Sequence, residues 1–331
     1  MSRPREATIA VTYRCNSRCS MCNIWRMDDH EELPPEQYAK LSDSLRTINV
    51  TGGEPFLRED LVKVLEQIHR AAPMSRIVIS SNGMLTERIA DLMSEIARFH
   101  PNIGIGISVD GLGEVHDRIR GVVGGFERAI KTVKAVKSVG IEDVRIGMTI
   151  VKGNAHQLLD VYRLSTDLGV EFTTTFAHNS EIYFRKSDNE PEMISPELRS
   201  ALRGVVNSHL RSMTPKDWFR AYHMEGLTDR NMRLSAVGKC AAASRFFFLD
   251  PRGDVYPCIV MDKVIGNIKD FKSLDDLFEA AKVAEIRSLV RACRADCWMI
   301  CNTRSLILSH PGRSVVWVMK NKPKAHLSGG S

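Results

Sequence analysis

A short β-branched or aliphatic run, a polar or glycine-bearing loop and an amphipathic helix follow one another six times in residues 1–185. This alternation predicts an α/β fold with a parallel sheet and right-handed crossovers. The expected strands are residues 8–12, 47–50, 76–80, 103–109, 144–150 and 170–175, nearly continuous in apolar or β-branched residues as buried parallel strands are. Helical stripes of period 3.6 lie between them: Leu61, Leu65 and Ile68; Ile89, Leu92, Met93 and Ile96; Phe126, Ile130, Val133 and Val136. Six such units build an open doubly wound sheet or an incomplete barrel. No glycine-rich dinucleotide turn follows the first strand, which favours a partial (β/α)6 TIM-like barrel.

A barrel gathers its site from the loops at the C-terminal ends of its strands. Here those loops carry, in order, Cys15-Asn-Ser-Arg-Cys19-Ser-Met-Cys22, Thr51-Gly52-Gly53-Glu54-Pro55, Ser81-Asn82-Gly83, Ser108-Val109-Asp110-Gly111, the stretch from Thr149 to Asn154, and Phe176-Ala177-His178-Asn179. Gly52 and Gly53 let backbone approach a ligand where a Cβ would block it, and Glu54 offers a carboxylate to an ammonium; a plain tight turn is the alternative. Ser81 and Asn82 can bond a ligand or cap a helix starting near Leu85. Asp110 and Arg120 can organise a site or form a surface ion pair.

Residues 186–236 are rich in Pro, Ser and charge and read as a linker with helices at 198–210 and 217–223 that caps the barrel; His223-Met-Glu-Gly226 within it matches no pattern. Residues 237–331 form a second unit. Cys240 and Cys258 flank a hairpin whose turn is Asp250-Pro-Arg-Gly253, a helix is expected at 274–289, and Cys293, Cys297 and Cys301 follow at i, i+4 and i+8, on one face if that run is helical.

With 43% hydrophobic and 26% charged residues, the 331-residue composition is that of a soluble globular protein. A net charge of +6, without a stripe of Arg and Lys interleaved with aromatics, excludes a nucleic-acid footprint and is compatible with an anionic substrate. No secretory segment opens the chain, and no apolar run approaches the ~20 residues of a membrane helix. The basic stretch Lys320-Asn-Lys-Pro-Lys324 could touch an anionic surface but reads first as a solvated end. The eight cysteines fall into two groups, which suggests two metal sites in a reducing compartment, the cytoplasm.

Three thiols within eight residues are ligands for a metal rather than disulfide partners. Zinc would need a fourth ligand, and the nearest histidine, His30, lies in the acidic run Asp28, Asp29, His30, Glu31 and Glu32. Three thiolates can instead hold three corners of a cubane cluster and leave one iron open. The CxxxCxxC spacing after a first strand resembles the radical S-adenosylmethionine (SAM) superfamily. That resemblance implies a [4Fe-4S] cluster on Cys15, Cys19 and Cys22, SAM chelated at the open iron, reductive cleavage to a 5′-deoxyadenosyl radical, and an external reductant such as flavodoxin or ferredoxin. It assigns Gly52, Gly53, Glu54 and Pro55 to the motif that holds the SAM amine, and Ser81 and Asn82 to its ribose or carboxylate. Ser108, Asp110, Arg120 and Thr149 join them as cofactor-site residues. Met21 departs from the aromatic usual beside the third cysteine, although a thioether can pack on adenine.

The spacing from Cys240 through Gly253 to Cys258 resembles the opening of a SPASM or shorter twitch extension. Five cysteines against the seven of a full SPASM pattern imply one auxiliary [4Fe-4S] cluster. The expected ligands are Cys240, Cys258, Cys297 and Cys301; Cys293 is doubtful as a ligand and, unligated, is a candidate hydrogen-atom donor. Ligand counting alone leaves a zinc knuckle open. The chemistry implied is oxidation or epimerisation of a small polar molecule, such as a sugar or aminocyclitol, free or carrier-linked, with Lys152, His178, Asn179, Glu181 and Tyr183 as substrate-side candidates. A peptide is the alternative, disfavoured because peptide-maturing members begin with a leader-recognition domain whereas the first strand here starts near residue 8. A molybdenum-cofactor cyclase, suggested by Gly329-Gly330, fits less well in cysteine spacing. An iron–sulfur electron carrier is the non-enzymatic contrast, and it would need no amine-binding carboxylate at Glu54.

Overall fold

In a computed structural model the described residues are 3–28, 31–190, 194–228, 239–295 and 297–327; the side chains of Cys301 and Asn302 fall outside them, as do His30 and Gly329-Gly330. The six expected strands are present as β1 (Glu6–Thr12), β2 (Thr47–Gly52), β3 (Arg76–Ser81), β4 (Ile103–Ser108), β5 (Asp143–Ile150) and β6 (Glu171–Phe176). Each pairs in parallel with the next, so their order in the sheet is their order in the chain. A doubly wound sheet reverses direction at a switch point. This one never reverses, which makes it a singly wound partial barrel.

The helices α1 (Leu61–Ala71), α2 (Thr86–Phe99), α3 (Glu114–Arg120), α4 (Gly125–Ser138) and α5 (Leu158–Asp167) fill the later crossovers. The first crossover differs from the expected strand–helix unit. Among the described residues it holds short 3-10 turns at Ile24–Arg26 and Pro35–Lys40, the second opening at Pro34-Pro35, and no α-helix. Its length goes into the cysteine loop instead.

The strands are also less uniformly apolar than expected. Ile48, Val50, Ile77, Ile79, Ile105, Ile107, Ile146 and Met148 pack outward on Val64, Leu65, Ile89, Met93, Val133 and Val136 in one core. The opposite faces carry Asn49, Ser80, Arg145 and Thr173, all half-buried, and Ser80 Oγ donates to Asn49 Oδ1 at 3.0 Å. The barrel interior is therefore polar, as a site that admits a charged ligand requires.

Two linker helices follow, α6 (Pro196–Arg211) and α7 (Pro215–Thr228), both longer than the sequence suggested. Ser195 caps α6 by accepting from Leu198 N at 3.2 Å, with Pro196 at the first position where no N–H is needed. Beyond them, β7 (Phe246–Leu249) and β8 (Asp254–Tyr256) form the expected hairpin. Asp250 shapes its turn by accepting from the backbone N–H of Arg252 and Asp254, each at 2.9 Å. The hairpin is no separate layer. Strand β7 runs parallel to β1, and with β9 (Gly266–Asn267) it extends the barrel sheet to nine strands.

The helix expected at 274–289 is two, α8 (Leu274–Glu279) and α9 (Ala281–Ala292), broken where Ala280 turns to ψ 146. The described residues that follow are non-helical until α10 (Ile300–Ser309), and α11 (Pro311–Leu327) follows. Cys293 and Cys297 consequently lie in a connecting segment and do not share a helix face with Cys301.

Candidate active site

Backbone hydrogen bonds hold the three-cysteine loop on several sides. Arg18 and Ser20 donate to the carbonyls of Arg120 and Ile119 at the end of α3, at 2.8 and 2.9 Å, and Asn23 donates to Phe184 at 2.8 Å. Gly53 and Glu54 donate to Thr12 and Arg14, each at 2.8 Å, so the loops after β1 and β2 are zipped together. A Cβ on Gly53 would stand 2.2 Å from the Arg14 carbonyl, and one on Gly52, whose φ is +142°, 2.2 Å from that of Thr12. Here the glycines admit the neighbouring chain; the sequence reading had them admitting the ligand.

All three thiols are half-buried. Burial pushes Cys15 up to about 12 and Cys22 up to about 11. It raises Cys19 as well, against the opposing pull of Arg120, whose Nη1 lies 3.7 Å from its Sγ.

Glu54 is fully buried. Oε1 accepts from Ser81 Oγ at 2.9 Å and Phe56 N at 3.3 Å, and Oε2 accepts from Asn82 N at 2.7 Å. Among the described residues no Lys, Arg or His forms an ion pair with it. Burial accordingly raises its carboxyl to about 7, although these hydrogen bonds and the more distant Arg120 pull the other way. A buried carboxylate without a cation, beside three thiols, fits a ligand that brings an ammonium to a cluster.

The hydrogen-bonding groups of Ser81 and Asn82 are committed within the protein. Asn82 Nδ2 donates to Asn16 Oδ1 at 2.7 Å and Ser17 Oγ at 2.9 Å, tying the third strand's loop to the cysteine loop. Neither residue caps α2. Asn82 Oδ1 accepts from Met84 N at 3.0 Å in a turn before the helix. Pro55 opens a short 3-10 turn at Pro55–Leu57 that carries Glu54 as its cap.

Asp110 and Arg120 form no surface pair. Asp110 is wholly buried, and Arg120 Nε donates to its Oδ2 at 2.6 Å. Oδ1 accepts from Thr149 N at 2.7 Å. Asn154, fully buried, donates from Nδ2 to the carbonyls of Asp110 and Thr149 at 2.9 and 2.8 Å. The fourth and fifth loops are thereby fused through Asn154, whose role the sequence did not signal. His116 Nδ1 accepts from Asp110 N at 3.1 Å, and burial depresses this imidazole to about 4, so it is neutral. Asp117 accepts from Gly124 N and Phe126 N at the start of α4. Ser108 ends β4, half-buried at the mouth.

The candidates after β6 divide by burial. Tyr183 is buried; its hydroxyl bonds Thr51 Oγ1 at 2.6 Å, and its ring packs on Phe248 in the cluster that receives Cys15 and Cys22. It buttresses the β2 loop from behind. His178 Nε2 lies 3.3 Å from Thr175 Oγ1, and burial holds it below its usual range. Glu181 and Asn179 are exposed, Glu181 accepting from Ser187 and Asn179 bonded to Asn189. Lys152 pairs in solvent with Glu190 at 3.2 Å.

In the C-terminal group, Cys240, Cys258 and Cys297 are half-buried and Cys293 is exposed. Cys258 Sγ accepts from Met261 N at 3.3 Å, and burial raises this thiol against the pull of that hydrogen bond. The side chain of Cys301 is outside the described residues. Trp298, next to Cys297, is anchored on α7: its indole N–H donates to His223 O at 2.6 Å and its ring stacks on the His223 imidazole. A Cβ on Gly226 would fall 1.9 Å from that indole. His223 Nδ1 lies 2.8 Å from Thr303 Oγ1 on α10. The segment that matched no pattern is thus the seat for the auxiliary cysteine loop.

Residues 9–164 match the radical SAM superfamily, and residues 240–301, from Cys240 to Cys301, match the SPASM iron–sulfur cluster-binding domain. The chain thus carries a radical SAM domain followed by a SPASM domain. These two domains imply SAM and two iron–sulfur clusters as cofactors. It is 25% identical to the antilisterial bacteriocin subtilosin biosynthesis protein AlbA of Bacillus subtilis over 80% of this chain and 57% of that one. It is 33% identical to the pre-heme d1 synthase of Dinoroseobacter shibae over 72% of this chain and 56% of that one. The chain therefore spans little more than half the length of these two relatives. The structure of SuiB from Streptococcus suis bound to SAM shares the fold, with a TM-score of 0.66 at 18% identity over 87% of this chain and 68% of that one.

Proposed function

We propose that this chain is a radical SAM enzyme that modifies a peptide, in place of the small sugar-like substrate expected from sequence. The observation that carries the enzymatic reading is Glu54, a buried carboxylate with three hydrogen-bond donors and no cation, at the edge of the three-thiol loop. An electron carrier has no use for it. Bound SAM and its cluster would supply a carbon radical able to abstract hydrogen.

The protein's own part is placement. Glu54 receives the SAM ammonium, with Ser81 and the Asn82 N–H holding the carboxylate in position. Arg120, braced by Asp110, keeps a positive charge against Cys19. Asn154 and the Thr149 backbone close the wall between the fourth and fifth loops. Cys240, Cys258, Cys297 and Cys301 would supply the four ligands of an auxiliary cluster, with the exposed Cys293 left over. The peptide reading is supported by the bacteriocin biosynthesis relative and by the SPASM match. A tetrapyrrole substrate is the second reading, favoured by 33% identity to a pre-heme d1 synthase.

The test is 5′-deoxyadenosine formation by anaerobically reconstituted protein with SAM and dithionite. Glu54→Gln is expected to lower it at least about tenfold, the loss of one charge-assisted contact, with iron content unchanged. Undiminished cleavage would remove the assignment. Deuterated peptide pools and deuterated tetrapyrroles then separate the substrate classes. Deuterium reaching 5′-deoxyadenosine from peptides supports this reading, and transfer from tetrapyrroles alone replaces it with the second.

A further inference from the structure

Helix α11 is docked by one side only. Ser314, Val318 and Ala325 are buried, and the Trp317 ring lies 5.4 Å from that of Tyr222. Lys322 Nζ donates to the carbonyls of Leu210 and Ser212 at 2.6 and 2.7 Å, and Arg211 Nε donates to that of Ala325 at 2.8 Å. The helix is thus fastened to α6 and α7.

Its other side is apolar and open to water. Val315 is 45% exposed, Val316 50%, Met319 71% and Leu327 83%. At 100° per residue these four and Pro323 occupy an arc of about 120°, and Lys320, Arg313 and Lys324 follow within about the next 60°. From Cys297 to the last residue the sequence contains no Asp or Glu, while Arg304, Arg313, Lys320, Lys322 and Lys324 are all cationic.

We propose that α11 lays this outer face on an anionic lipid surface. The flanking cations suit acidic headgroups, and the apolar arc suits the boundary beneath them. A second copy of the chain would set like charges against each other. A nucleic acid would use the cations but leave the apolar arc in water. No helix among the described residues is long and apolar enough to cross a membrane, so α11 lies on the surface rather than spanning it. This inference stands apart from the peptide reading.

The experiment is co-sedimentation of the cluster-reconstituted protein with vesicles of phosphatidylcholine, with and without phosphatidylglycerol. Binding is expected only with phosphatidylglycerol, weakening as salt rises. Met319→Asp should lower partitioning about tenfold or more, and Lys320→Gln and Lys324→Gln about fivefold each. Equal binding to both vesicles, no binding, or binding indifferent to Met319→Asp overturns the proposal. So does wild-type self-association in solution that Met319→Asp abolishes without any vesicle binding. SAM cleavage measured on the same variants should be unchanged, which keeps this result separate from the fate of the peptide reading.

Discussion

The two cysteine groups are built in opposite ways. The N-terminal thiols sit on one eight-residue loop, clipped by backbone hydrogen bonds to α3, to the β2 loop and to the segment after β6. The C-terminal cysteines come from the approach to β7, the exit of β8, the stretch between α9 and α10, and α10 itself; Cys293 is exposed, and Trp298, next to Cys297, is fastened to α7. The second gathers its cysteines from distant parts of the chain, so that site should be the more easily lost.

The harshest test of this contrast removes ligands. Replacing any of Cys15, Cys19 or Cys22 by Ala should abolish 5′-deoxyadenosine formation. Cys258→Ala should retain SAM cleavage while lowering iron and sulfide content. Equal loss from both would mean that the sites assemble together.

Next in size is the buried pair that stiffens the first site. Arg120→Met leaves Asp110 buried without its cation and should cost about 3–5 kcal/mol in urea unfolding. Adding Asp110→Asn should recover part of it, and a cost within error of zero would show the pair to be dispensable.

Gly226→Ala addresses the second site from a distance. The new Cβ meets the Trp298 indole at 1.9 Å, and overpacking of this kind costs about 1–3 kcal/mol. Auxiliary-cluster iron should fall while the SAM-site cluster stays, as separated by electron paramagnetic resonance.

Glu54 offers a pH test. Its carboxyl is raised to about 7, so it is protonated below that pH and cannot pair with an ammonium. SAM affinity measured by equilibrium dialysis should climb with pH up to about 7 and level off above it, by at most about tenfold per pH unit. Glu54→Gln should flatten the profile, and a wild-type profile already flat would refute the pairing. The smallest effect expected is that of Tyr183→Phe, which leaves Thr51 Oγ1 without its hydroxyl partner at about 0.5–1.5 kcal/mol. Thermal unfolding checks it, and an unchanged midpoint would make the buttress idle.

Much of the fold was legible. Strand positions came within two residues because buried parallel strands need consecutive apolar or β-branched residues, and helix faces followed from their stripes. The crossover after β1 was misread because its residues serve the cysteine loop, and the break at Ala280 was missed because an alanine carries no signal against helix. The polar barrel interior was missed too, since Thr, Ser and Gly at alternate positions pass for ordinary strand residues.

By itself the sequence determined the strand–helix alternation, the three-thiol spacing and the Gly-Gly-Glu turn, because each is a pattern over neighbouring residues. Only the tertiary structure decided that Glu54 is held by Ser81 and Asn82, that Asp110 braces Arg120 against Cys19, that β7 joins β1, and that Gly226 makes room for Trp298. These pairings join residues far apart in the chain, and they exist only once sheet register and helix docking have fixed which side chains face each other.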